Sequence, residues 1–172
     1  MSRSLDDLDP AFHLKIIQLL QNCATLHFEL VPYFTLRTPQ DQAVLWRQSR
    51  GEAEIDQKIA SLRAIGAQWL SNVLAMAPQK TGPWATNGVP GNSWHQWALA
   101  CDCYWQTPTG VQWNDGAGYT IYANEAVKLG LTVGRDFSKP DIDHVQMPTQ
   151  GAPSDLYSWP DIDAQMREKF GT

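Results

Sequence analysis

His95 and Asp102 lie seven positions apart in SWHQWALACDCYW, residues 93–105, and a second histidine, His144, sits among acids in KPDIDHVQMP, residues 139–148. Two imidazoles and one carboxylate are the ligand types of a catalytic zinc site, which takes three protein ligands and leaves a fourth position for water or substrate. These residue types point to one Zn²⁺ per chain, while their spacing alone is weak evidence. Taken singly, each residue also has an ordinary reading. His95 could be structural or at the surface, Asp102 a solvent-facing strand residue, and Asp141 a turn residue after Pro140. Cys101 and Cys103 are rival zinc ligands by chemistry, but in a strand they project opposite to Asp102, which assigns them to the core.

Bringing His95 to Asp102 places a demand on the backbone. Residues seven apart share one face of a helix and fall on opposite faces of a strand. The Pro/Gly/Asn loop APQKTGPWATNGVPGNS ahead of them, and the Trp, Cys and Tyr content of ALACDCYW, favour a strand from about residue 98. The chain must then bend or bulge between the histidine and the aspartate. His144 opens a second short strand-like run.

The remaining elements read as helices first and short strands later. Asp9 and Pro10 open a helix to about residue 24, with Phe12, Ile16, Leu19, Leu20 and Cys23 at helical spacing. FELVPYFTLR, 28–37, predicts a strand in which Pro32 implies an edge or a bend. Thr38, Pro39 and Asp41 start a second helix. The stripe Ile55, Ile59, Leu62, Ile65, Trp69 and Leu74 predicts one long helix over about 53–77. In the tail, Trp159, Pro160 and Asp161 lead into a short amphipathic helix bearing Ile162, Met166 and Phe170.

A chain of 172 residues is the length of one domain. A net charge of −5 and a pI near 5.2 give no electrostatic footprint for nucleic acid or an anionic membrane. The first 25 residues carry acids where a secretory signal needs a basic start and an unbroken apolar run, and no later run is long enough to span a bilayer. The expectation is a monomer made in the cytoplasm without a signal peptide. Three cysteines do not form a disulfide framework.

SWHQWALACD resembles the Ser-x-His-x-x-Gly-x-Ala-x-Asp motif of the D-Ala-D-Ala and L-alanyl-D-glutamate zinc metallopeptidases, peptidoglycan-cleaving enzymes that include phage endolysins. DIDH resembles their later Asp/Glu-x-x-His element, and LRTPQDQAVLWRQSR their Arg-bearing strand-to-helix segment, so the likeness runs from about residue 5 to 148. Two positions depart from the pattern. Ala98 stands where the family has glycine, and Asp143 takes a place often held by proline.

The resemblance implies an α+β fold of the hedgehog/D-Ala-D-Ala-peptidase type, a small antiparallel sheet flanked by helices, with a catalytic domain over 1–150 and a tail over 151–172 that packs back on it. It implies His95, Asp102 and His144 as zinc ligands, Asp141 as the catalytic base with Asp143 as its rival, Arg37 as the arginine for substrate and oxyanion, and Ser93 as a substrate contact. The implied activity is hydrolysis of peptidoglycan stem peptides at the L-alanyl-D-glutamate bond, acting on the cell wall after release or delivery. D-Ala-D-Ala carboxypeptidase or dipeptidase activity is the second reading, and a zinc-containing binding module without catalysis is a third.

Overall fold

The computed structural model describes residues 1–114 and 116–171. In chain order the elements are α1 (Pro10–Thr25), β1 (Glu29–Phe34), α2 (Pro39–Arg47), α3 (Glu52–Ala64), α4 (Gln68–Met76), β2 (Ala100–Thr107), β3 (Gly110–Gln112), α5 (Ala117–Lys128), β4 (Thr132–Val133), β5 (His144–Gln146), α6 (Pro153–Leu156) and α7 (Trp159–Phe170). The class is α+β, with one small antiparallel sheet in the order β1-β2-β5-β4 and β3 paired to β2. Contacts group the chain into two compact units, Met1–Leu36 with Trp97–Thr149, and Arg37–Gln96 with Gln150–Thr172. Among the described residues no helix is long and apolar enough to cross a membrane.

The first unit holds the sheet. Asp9 accepts from the amides of Ala11 and Phe12 at 2.9 and 3.2 Å and so caps α1, and Pro10 occupies a first-turn position where a missing N–H costs nothing. Phe12, Ile16, Leu19 and Cys23, three or four apart, form the buried stripe of that helix. They share one core with Leu30, Cys101 and Cys103 of the sheet and with Tyr122, Ala123 and Ala126 of α5. Pro32 lies on β1, an edge strand, and the pairing of β1 with β2 slips between Pro32 and Phe34.

The second unit is helical. Thr38 and Asp41 close a reciprocal capping box at the start of α2. The apolar stripe predicted as one helix over 53–77 is carried by two, because the chain turns at Gly66, whose φ of +86° lies in the left-handed region that suits glycine. Ala67, the residue ahead of α4, offers no side-chain cap; Asp163 of α7 supplies one, accepting from the amides of Trp69 and Leu70 at 3.2 and 2.8 Å. Asp163→Ala should therefore cost about 1–2 kcal/mol. The check is the denaturant midpoint, which should fall at constant slope; an unchanged midpoint would mean that water caps α4 equally well.

Candidate metal centre

β2 and β5 pair so that Asp102 stands directly opposite His144. Cross-strand neighbours are close enough for side chains to touch, and His144 Nδ1 lies 2.9 Å from Asp102 Oδ1. His95 comes from the 3₁₀ turn Trp94–Trp97. The bend that the sequence demands falls at Ala98, which has φ of +63°. A non-glycine residue pays roughly 1–2 kcal/mol for that conformation, and the amide of Asp9 holds it by donating to the Ala98 carbonyl at 3.0 Å.

One ligand atom from each of His95, Asp102 and His144 lies within 4.8 Å of the other two. All three residues are buried, at 2, 6 and 8% exposure. Two imidazoles and a carboxylate are the donor chemistry of zinc. The group therefore fits one divalent metal ion.

A further contact fixes which nitrogen of His144 faces the group. Gln146, two residues along β5 and on the same face, donates through Nε2 to Thr149 Oγ1 at 2.9 Å, which turns its Oε1 toward His144 Nε2 at 3.0 Å. His144 Nε2–H then donates to Gln146, and in the metal-free ring Nδ1–H donates to Asp102, so Nδ1 is the nitrogen that would give up its proton to a metal. Gln146 thus acts as a positioning residue that sequence reading overlooked. The only signal for it is the period-two alternation after His144. Gln146→Leu should weaken zinc binding about 10–100-fold, as read by competition with a chromophoric chelator; an unchanged affinity would show that the ring is held by other contacts.

Asp141 and Asp143 stand beside this group but differ in setting. Asp141 is exposed and Asp143 half-buried. Burial, then a hydrogen bond with Asp141 and the charges of Asp102 and Asp141, push the Asp143 carboxyl up to about 8. Three carboxylates crowd here, and a divalent cation would relieve them. Burial works against a charged His144, but the hydrogen bond and charge of Asp102 outweigh it and raise the imidazole above its ordinary value. The main chain is pinned as well: Asp141 N–H donates to the Gly134 carbonyl at 2.9 Å, and His144 N–H to the Asp141 carbonyl at 3.2 Å. A Cβ on Gly134 would run into that Asp141 carbonyl and stand 2.9 Å from His144 Cβ, so residue 134 has no room for a side chain.

Arg37 is half-buried, and its amide donates to the His95 carbonyl at 3.3 Å, so the two are neighbours through the backbone. Ser93 is half-buried and its carbonyl accepts from the Gln96 amide at 3.0 Å, opening the turn that carries His95. Cys101 and Cys103 are buried on the core side with their sulfurs 3.8 Å apart, away from the metal group. Trp94 is buried, donating to the Gly151 carbonyl at 2.9 Å. Trp84, by contrast, lies open and stacks on the Arg50 guanidinium at 3.6 Å.

No protein-family model matches the chain, and no curated protein matches it.

Proposed function

We propose that the protein is a zinc-dependent peptidase that hydrolyses peptidoglycan stem peptides, most specifically the L-alanyl-D-glutamate bond. The single observation that carries this reading is the buried His95–Asp102–His144 group, with its ligand atoms within 4.8 Å of one another. The likeness of SWHQWALACD and DIDH to the D-Ala-D-Ala and L-alanyl-D-glutamate metallopeptidases supplies the substrate class. A bound Zn²⁺ supplies Lewis acidity and lowers the pKa of a water to about 7.

The chain's own residues divide the remaining work. His95 and His144 would each hold the ion through one ring nitrogen, and Asp102 through its carboxylate. Asp141, which is exposed, accepts the proton of the attacking water and passes it to the leaving amine. Asp143 shares a hydrogen bond with Asp141 and so orients that carboxylate. Arg37 supplies a fixed guanidinium for the developing oxyanion or a stem-peptide carboxylate, and Ser93 a hydroxyl for the substrate backbone.

Digestion of purified peptidoglycan, with and without a chelator and with the fragments identified by mass spectrometry, tests this directly. Stem peptides beginning at D-glutamate, released only without chelator, are the expected result. Loss of a terminal D-alanine alone would make the enzyme a D-Ala-D-Ala carboxypeptidase. Absence of any chelator-sensitive product from zinc-loaded protein would leave a binding module.

A further inference from the structure

The face of the sheet that carries Asp102 also carries aromatic rings that the metal group does not use. Side chains alternate along β2, so Cys101 and Cys103 enter the core while Asp102 and Tyr104 share the opposite face, roughly 7 Å apart along the strand. Across from them the register of β1 slips: Pro32 pairs with Cys103 and Phe34 with Asp102, which leaves Tyr33 as the extra residue of a bulge. A bulge re-aims side chains, and here it brings Tyr33 and Phe34 together, with ring centres 3.9 Å apart. Trp113, which follows β3, completes the set at 5.0 Å from Tyr33 and 5.6 Å from Tyr104. Half of its surface is exposed, and Tyr33, Phe34 and Tyr104 are each partly open.

Such a cluster is too open to be core, and its edges are polar: two phenol hydroxyls, an indole N–H, and the exposed Arg3 guanidinium 5.3 Å over the Tyr33 ring. Flat π faces rimmed by donors suit a ligand that has a C–H face and a rim of hydroxyl and amide groups, which describes an N-acetylated pyranose. Aliphatic peptide side chains would gain from the rings but leave the donors unused. We propose that Tyr33, Phe34, Tyr104 and Trp113 form a saccharide-stacking subsite for the glycan strand of the substrate. The proposal rests on the peptidase reading for its biological setting. Because the stem peptide is tied to a sugar, a pyranose seated on these rings leaves the first peptide bonds free to reach the side chains at Asp102 and His144.

The test uses the full chain in its metal-free form, titrated with the tetrasaccharide of β-1,4-linked N-acetylglucosamine by isothermal calorimetry and by saturation-transfer NMR. We expect wild-type protein to bind the tetrasaccharide, and His144→Ala to bind it equally well. Trp113→Ala should weaken binding about tenfold, while Trp113→Phe, which keeps a ring, should stay within about threefold. Trp113 is half exposed and lies outside the regular strands, and thermal unfolding of each variant verifies its fold. Failure of folded wild-type protein to bind the tetrasaccharide overturns the proposal, as does equal binding by Trp113→Ala, or saturation transfer to a free stem peptide but not to sugar. Hydrolysis of peptidoglycan without saccharide binding removes the subsite alone, whereas saccharide binding at these rings without hydrolysis supports it and removes the peptidase reading.

Discussion

His144→Ala should yield a protein that folds, takes up zinc at least about 100-fold more weakly and releases no stem peptides. The loss must exceed the 10–100-fold carried by an outer contact such as Gln146, because an alanine removes a ligand outright. Folding is expected to survive at a lower stability. Asp102 loses the Nδ1 partner that lies 2.9 Å away in a buried setting, and stranding one member of such a pair costs about 3–5 kcal/mol, within the 5–15 kcal/mol typical of a domain. The sign of the pH dependence gives an independent readout. His144 is raised above its ordinary 6.5 by Asp102, so in metal-free protein the pair stabilises fully below that value and its contribution fades as pH rises through the shifted one. Zinc competes with the same proton, so zinc uptake should strengthen as pH rises and should release protons into a weakly buffered solution. Zinc content by plasma mass spectrometry and peptide release settle the ligand assignment together; full retention of both by folded His144→Ala would end it.

The parts of this arrangement that local chemistry dictates were legible in the sequence. Asp9 with Pro10, and Thr38 with Asp41, announce helix starts because capping is settled within three residues, and both caps are present. Pro32 on an edge strand and the bend between His95 and Asp102 were readable as demands on the backbone, and the edge position and the left-handed Ala98 meet them. What escaped depends on distant partners. Apolar spacing continues from Ile59 through Trp69 and so hides the break at Gly66, which is completed by an Asp163 cap 94 positions away from Trp69. Tyr119, Tyr122, Ala123 and Ala126 have helical spacing in α5, but the helix opens at Gly116, which offers no side-chain cap to announce it. Gly134 and Gln146 matter only because the Asp141 loop and His144 come to rest against them, a relation that no single segment encodes.

Asp141→Asn and Asp143→Asn should separate along two axes. The first should keep zinc and lose about 10²–10⁴ in turnover, the span of a general base, since asparagine cannot accept the water's proton. The second should keep much more of its activity, because an amide N–H can replace the protonated carboxyl as donor to Asp141. Its signature lies in stability. With its carboxyl pushed up to about 8, Asp143 holds a proton in the folded chain that it would lose near 3.8 when unfolded. Its stabilising contribution is complete at the acid end and drains away as pH rises from 3.8 through about 8. Asparagine does not titrate, so metal-free Asp143→Asn should gain on the wild type at the alkaline end, as measured by urea midpoints at about pH 5 and about pH 9. Zinc should erase much of that difference by offsetting the carboxylate charge. The opposite pattern, with turnover abolished by Asp143→Asn and kept by Asp141→Asn, would transfer the base to Asp143 and make the exposed Asp141 its hydrogen-bonding partner.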